Sequence, residues 1–299
     1  MRRWGAQKGL GTRLRADARV MSVGNIQAGG AGKTPLVAQL VNEGAAKNYR
    51  IWILTRGYRG QRENVGGVIE PSLKPVSAQE WGDEAALLHD LCPQAWIGVG
   101  RNRVQQYCNL LQTQGRSPDL VILDDGFQNH QFVKDVEIVA LTSARTKDTY
   151  FRDSWSALDT ADLLIWTKGE ILPEFARWQA QKPWAHVQFE LTMSPSDQAL
   201  WMITGIAGSQ QAHSSALQSG YRVVKKTALA DHFAYTGEQI QRFLSEAEQE
   251  GVRVAVTGKD WVKWRELGAP REKVTVLEPQ LRWVYGRENW EKVVWATSF

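Results

Sequence analysis

Four short stretches hold side chains able to handle a phosphate group. Residues 24–35 read GNIQAGGAGKTP. Gly32, Lys33 and Thr34 match the end of the phosphate-loop pattern G-x-x-x-x-G-K-[ST], while Gln27 stands where the first glycine belongs. Gly29, Gly30 and Gly32 let the chain fold tightly and turn its N–H groups inward, and the N-terminus of the following helix completes an anion site. In such a loop Lys33 reaches the β- and γ-phosphates and the Thr34 hydroxyl ligates Mg2+. Pro35 is tolerated, since the first helical turn needs no backbone donor there. The competing reading is a glycine turn that binds nothing.

The second stretch, DLVILDDG, puts Asp124 and Asp125 at the C-terminal end of an apolar strand, where nucleotide hydrolases hold the acid that positions Mg2+. Adjacent aspartates repel, so a nearby cation would help to hold both ionised; an exposed Asp-Asp-Gly turn is the alternative. The third, TRGYRG, offers Arg56, Tyr58 and Arg59, and an arginine there can pair with a phosphate through two parallel bonds. The fourth, WGDEAALL, offers Asp83 and Glu84, equally explained as acids complementing a helix dipole. His232 lies beside Asp231 in ADHFAYT; a lone histidine is more often structural than catalytic. LLIWTKGE resembles the T-K-x-D element that reads guanine, with Glu170 in place of the aspartate. It motivates an alternative function, a GTPase-type switch or chaperone.

These residues need a scaffold, and the flanking sequence supplies one. Apolar runs at 19–26, 50–57, 95–100, 119–126, 136–142 and 162–169 read as strands, several of them continuous rather than alternating, as strands buried on both faces of a parallel sheet should be. Helical segments at 35–48, 82–91 and 101–114 lie between them. The pattern predicts an α/β doubly wound, mostly parallel sheet of the P-loop type. Composition shifts near 179–201, where an alternating stretch from His186 to Thr192 precedes a Ser-Pro-Ser turn, and this predicts a β-hinge. The expected domains are a nucleotide-binding lobe over 1–183 and a smaller α/β lobe over 184–299, the latter with strands near 200–207, 253–258 and 273–278 and an amphipathic helix over 237–250.

With 299 residues and 43% apolar content the chain has ample material for two α/β units. A net charge of +4 is too mild to argue for nucleic acid. Two cysteines, Cys92 and Cys108, without a C-x-x-C pair speak against a disulfide framework or zinc site and suit a reducing compartment. No apolar run approaches the roughly 20 residues of a membrane span, and no signal peptide is expected. Residues 1–20 carry Arg2, Arg3, Lys8, Arg13, Arg15 and Arg19 against Asp17 alone, with Trp4 among them. Peripheral contact with an anionic membrane surface and a solvated terminus are the two readings.

The segments SVGNIQAGGAGKTP, TRGYRG, GDEAALL, DDGFQNH, KDVEIV, ADHFAY and TGKDWVK occur in the order found in tetraacyldisaccharide 4′-kinases, the lipid A 4′-kinases of Gram-negative envelopes. The resemblance spans about residues 19–264, and that family's phosphate loop also lacks the first glycine and has proline after Lys-Thr. It implies ATP- and Mg2+-dependent phosphorylation of the 4′-hydroxyl of a tetraacylated glucosamine disaccharide 1-phosphate, at the cytosolic face of the inner membrane. It also implies two α/β lobes joined by a β-hinge. Carried over, the nucleotide contacts are Gln27, Ala28, Gly29, Gly30, Ala31, Gly32, Lys33 and Thr34. Asp83 and His232 form a catalytic pair with Lys33, and Thr34, Asp124 and Asp125 face Mg2+. Asn25, Arg56, Tyr58 and Gln128 face the head group or the phosphates. Because Asp83 and His232 fall on different lobes, they are expected to meet on lobe closure. A monomer is expected, partnered by the lipid substrate and not by nucleic acid.

Three departures stand out. A short basic segment stands in place of the family's N-terminal membrane helix, Asn129 stands where the family has histidine and His130 follows it, and TYFRDSWSAL replaces the segment carrying an Arg-Glu pair. Arg152 and Asp153 are the candidates for that pair. The altered motif and the missing helix motivate a further alternative, a catalytically weak paralogue that binds the lipid without phosphorylating it.

Overall fold

The computed structural model describes residues 13–27, 30–143, 151–191 and 198–296. Its strands in chain order are β1 (Arg19–Asn25), β2 (Ile51–Thr55), β3 (Gly67–Ile69), β4 (Trp96–Val99), β5 (Leu120–Asp124), β6 (Val136–Thr142), β7 (Leu163–Lys168), β8 (Trp184–Leu191), β9 (Leu200–Thr204), β10 (Val223–Ala228), β11 (Arg253–Thr257), β12 (Val274–Leu277) and β13 (Pro279–Tyr285). The helices that matter to the site are α1 (Lys33–Ala46), α2 (Asp83–Leu91), α3 (Arg103–Gln114), α4 (Ser209–Gln218), α5 (Gly237–Gln249) and α6 (Gly258–Glu266).

The large sheet runs β13-β8-β7-β6-β1-β5-β2-β4-β3. From β8 to β4 every pairing is parallel; the two edges, β13 and β3, are antiparallel. The central strands β2 and β5 are buried at every position, which their runs IWILT and LVILD require. Helices cover both faces, and their ends are set locally. The Asn102 side chain accepts from the Gln105 N–H to start α3, and Gly115 closes that helix at φ 63°. The smaller sheet, β10-β9-β11-β12, is parallel throughout. It carries α4, α5 and α6, with Thr236 and Gln239 forming a reciprocal capping box at the start of α5.

The segment expected as a β-hinge forms strand β8 of the large sheet. β8 pairs with β7 and β13, so the large sheet takes in two strands that follow residue 183, and the smaller sheet is built from residues 200–277 alone. After β13 the chain turns back across α1. The Glu43 carboxylate accepts the indole N–H of Trp290 at 2.7 Å and of Trp295 at 2.6 Å, and pairs with Arg287 at 2.6 Å.

Arg15 pairs with Asp135 at 2.9 Å and Arg19 donates to the Val294 carbonyl at 2.6 Å, so these two members of the basic N-terminal group serve internal contacts. Arg2, Arg3, Trp4 and Lys8 lie outside the described residues. Among the described residues no helix is long and apolar enough to cross a membrane.

Candidate active site

β1 and β5 are neighbours, and the strand order reverses about β1, so their C-terminal ends open into the crevice where doubly wound sheets bind ligands. The loop after β1 enters α1 through Gly32 at φ 72°, and a Cβ at that position would run into the ring of Phe189 on β8. Ala28 and Gly29 lie outside the described residues, while Gly30, Ala31, Gly32, Lys33 and Thr34 all line the cleft.

Asn25 and Gln27 are placed differently from the expectation that they meet ligand. Both are buried, and neither lines the cleft. The Gln27 side-chain amide donates to the Thr142 carbonyl at 2.7 Å and accepts from the Thr142 N–H at 3.2 Å, clamping the loop to the end of β6. Asn25 donates to the Gln27 carbonyl and accepts from Lys33 Nζ at 3.3 Å. These two amides build the loop from behind, and a polar side chain there needs such partners because no water reaches it.

Sequence reading missed two further supports. The Thr167 hydroxyl lies 3.1 Å from the Ala31 carbonyl and 2.9 Å from that of Leu141. Lys168 Nζ donates to the Gly30 carbonyl at 2.9 Å. Both residues belong to the T-K-G-E stretch that resembles a guanine reader, and in the structure they grip the phosphate loop. The signal was present as an unexplained Thr-Lys pair at the end of a buried strand, but its partner could be found only by sheet order.

The two aspartates after β5 are in opposite electrostatic states. Asp125, in the left-handed region at φ 49°, lies 3.2 Å from Lys33 and 2.7 Å from Arg152. Burial works against its charge, but these two cations outweigh it and hold the carboxyl well below the usual range. Asp124 is 3% exposed and accepts from the Thr55 hydroxyl at 2.8 Å. Burial first, then the charges of Glu84 and Asp125, push its carboxyl up. Arg152 is therefore the partner of Asp125, a role its place in the departing segment did not reveal.

Among the described residues no group of three or more His, Cys, Asp or Glu side chains is arranged to hold a metal alone. A nucleotide-bound Mg2+ does not require one, since it takes one or two carboxylates and completes its shell with phosphate oxygens and water. Thr34 and Asp124 offer the hard oxygen donors it prefers, and Asp124 is a buried carboxylate that a divalent cation would help to ionise. Asp125 pairs with Arg152 through Oδ2 and lies 3.2 Å from Lys33 through Oδ1, a buried oxygen that takes no hydrogen bond and so keeps a donor position for a cation.

On the far side of the cleft the two lobes touch. Gly82 opens α2 at φ 87°, where a Cβ would press on the Gly57 and Tyr58 backbone, so the TRGYRG loop fixes where Asp83 emerges. Asp83, 6% exposed, accepts from His232 Nδ1 at 2.8 Å, so the pair expected to meet on lobe closure is in contact in this structure. Burial would raise the Asp83 carboxyl, but the His232 hydrogen bond and the charges of Lys259, His232 and Lys263 hold it at about 2. His232 lines the cleft, and Asp83 stands behind it. His232 adopts φ 57°, which a non-glycine residue rarely takes and which marks a position fixed by its surroundings.

The remaining expected residues fall on the cleft wall. Arg56 lies 5.6 Å and Arg59 5.5 Å from the centre of the Tyr58 ring, and that ring meets His232 edge-on at 5.5 Å. Arg56 is also paired with Glu63 at 2.7 Å. Gln128 lines the cleft and donates to the Asn25 carbonyl at 2.9 Å. Asn129 and His130 both line it too, Asn129 accepting from the Gln131 N–H at 3.0 Å in a side-chain turn. The whole cleft measures about 2320 Å³, well beyond the roughly 300–1,000 Å³ of a pocket for one small ligand. It has room for a nucleotide and a second substrate together.

A doubly wound sheet, a Gly-Lys-Thr loop at a helix start and an acidic pair on the neighbouring strand define a P-loop NTPase-like protein. The family model for LpxK, tetraacyldisaccharide-1-P 4′-kinase, matches residues 1–297, and the chain belongs to that kinase family. It is 27% identical to the tetraacyldisaccharide 4′-kinase of Anaeromyxobacter sp. (strain Fw109-5), over 94% of this chain and 83% of that protein. To the enzyme of the same name from Geobacter sulfurreducens it is 30% identical, over 86% of this chain and 77% of that protein. The crystal structure of LpxK from Aquifex aeolicus in complex with ATP superposes with a TM-score of 0.76 at 24% identity, over 99% of this chain and 93% of that one. That likeness establishes the shared fold.

Proposed function

We propose that this chain transfers the γ-phosphoryl group of ATP to the 4′-hydroxyl of a tetraacylated disaccharide 1-phosphate. The observation that carries the reading is the meeting, in one cleft, of the Gly32-Lys33-Thr34 loop from one side and the Asp83–His232 pair from the other. Family membership and the names of the relatives supply the substrate.

In this reading the loop N–H groups and the start of α1 cradle the β- and γ-phosphates, and Lys33 neutralises charge on the transferring group. Thr34 and Asp124 would hold Mg2+, which when bound supplies further charge neutralisation across the phosphates. Asp125 keeps Lys33 and Arg152 aimed at the same place. The sugar hydroxyl approaches from the His232 side and gives its proton to the His232–Asp83 pair, with Asp83 fixing the imidazole through Nδ1. Arg56, Tyr58 and Gln128 line the wall that faces the head group. The acyl chains bring the enzyme to a membrane surface, with Arg2, Arg3 and Lys8 of the basic N-terminal segment as a peripheral contact.

The test is turnover with purified tetraacyldisaccharide 1-phosphate and labelled ATP or GTP. ATP-dependent transfer is expected in the wild type, lost in Lys33→Ala and Asp83→Ala proteins that remain folded. Full activity in either variant, or a strong preference for GTP, overturns the reading.

A further inference from the structure

Helix α6 meets α2 with its charges in register. Lys259 Nζ lies 2.7 Å from Glu84 Oε1, Lys263 Nζ lies 3.6 Å from Asp83 Oδ2, and Arg265 bonds Asp90 at 2.8 Å. At the outer end Glu266 accepts from the Ala78 N–H at 2.8 Å, capping the short helix just before α2. The start of α6 sits close against α2, for a Cβ on Gly258 would crowd the Leu87 side chain. Lys259 and Lys263 are four residues apart and so share one helix face. They reach consecutive acids in the first turn of α2, and one of those acids is the partner of His232.

Resting on the kinase reading above, we infer that Lys259 is a positioning residue: its ion pair with Glu84 docks the smaller lobe so that His232 is seated on Asp83. Three observations bear on this residue. The Lys259–Glu84 pair is the cleft-facing end of the contact, since both residues line the cleft while Arg265 and Asp90 do not. It is half-buried, with side-chain exposures of 28% and 32%, so its attraction is less screened than that of a surface pair. Thr257, whose hydroxyl accepts the Asp260 N–H, and the buried Asp260 fix the first turn of α6 on β11, so the lysine moves with the lobe. His232 belongs to that same lobe: its N–H donates to the Gly205 carbonyl at 3.0 Å, just after β9, and the Gly205 N–H donates to Asp260 at 3.0 Å. One rigid unit thus carries both the lysine and the histidine, and the Glu84 pair sets where that unit lands.

The experiment compares Lys259→Met, Lys259→Arg and Glu84→Gln with wild type, by kcat, by KM for ATP and by thermal stability, and repeats Lys259→Met in an Asp83→Asn background. A slip of about 1 Å in a reacting group costs on the order of a hundredfold. Lys259→Met should therefore lower kcat about 10- to 100-fold with KM for ATP within about twofold, because the phosphate loop belongs to the other lobe. Lys259→Arg should recover most of that loss, and Glu84→Gln should reproduce it. In the Asp83→Asn protein Lys259→Met should lower the residual rate no further, since the lysine acts through the pair already removed. Unchanged kcat in a folded Lys259→Met protein overturns the inference, as does an equal further loss in the Asp83→Asn background. A wild type without kinase activity would instead overturn the functional reading itself.

Discussion

Gln27→Ala separates a loop brace from a ligand contact. In the structure this side chain is 1% exposed and makes two hydrogen bonds to the backbone of Thr142, at 2.7 and 3.2 Å. Alanine removes both bonds from a site closed to water and leaves the space of an amide. Each bond lost in such surroundings costs about 1–2 kcal/mol, so the sum is about 2–4 kcal/mol. For a chain of this size that corresponds to a fall in Tm of about 3–6 °C. The assay pairs a thermal unfolding scan with ATP titration of the folded protein below its transition. The expected result is a clear loss of Tm, with ATP binding weakened by less than about tenfold. Gln27→Glu should be nearly as damaging, because a carboxylate can still accept from the Thr142 N–H but turns an acceptor toward the Thr142 carbonyl. A Tm within about 1 °C of wild type, together with a large loss of ATP affinity, would refute the brace and restore Gln27 as a ligand contact.

Other perturbations probe the rest of the scaffold. Glu43→Leu removes the partly buried acceptor of two indoles and Arg287 and should cost about 2–3 kcal/mol in denaturant unfolding; a loss below about 1 kcal/mol would mean the C-terminal segment holds by packing alone. Thr167→Val deletes the hydroxyl beside the Ala31 carbonyl and should raise KM for ATP roughly tenfold, and an unchanged KM would show that the loop needs no brace from β7. Asp83 supplies a pH signature. Its folded carboxyl sits at about 2, below an unfolded value near 3.8, so the charged form is favoured by folding. That contribution, on the order of 2 kcal/mol, is complete above about pH 4 and is lost as pH falls toward 2. The stability gap between wild type and Asp83→Asn should therefore close on acidification across that window, and a gap that stays constant would exclude the ion pair as its source.

Much of the large sheet was legible because its strands are continuous apolar runs, and a strand buried on both faces has no other composition open to it. The helices at 33–46, 83–91 and 103–114 followed from the same alternation of strand and helix segments. The destination of β8 was not legible. Its alternating pattern from His186 onward fits an exposed hinge as well as a strand paired with an edge, and only the distant β13 decides between them. At the site, residue types told which side chains could do chemistry but not which way they face. Asn25 and Gln27 are polar and stand beside glycines, so they look like ligand contacts, yet the β6 end and the loop itself take up their hydrogen bonds. The pairing of Asp125 with Arg152 spans 27 residues and two strand ends, a separation that local pattern does not carry.

The phosphate loop of this protein is held less by its own glycines than by side chains that arrive from elsewhere. Gln27 ties its start to β6, Lys168 and Thr167 grip the Gly30 and Ala31 carbonyls from β7, and Phe189 of β8 fills the space beside Gly32. Behind it, Glu43 fixes α1 to the C-terminal turn through Trp290 and Trp295. A glycine at position 27 would free the backbone and surrender the clamp on Thr142. The glutamine therefore trades conformational freedom for a fixed register between β1 and β6, and the loop can hold its anion-binding shape only when β6, β7 and β8 are in place. Because β8 is itself paired with β13, the last strand of the sheet, the geometry around Lys33 depends on residues nearly 250 positions further along the chain. Truncation before residue 279 should then weaken ATP binding even though every residue of the Gly-Lys-Thr motif remains, and a truncated protein that binds ATP as tightly as the full chain would show that the loop stands on β6 and β7 alone.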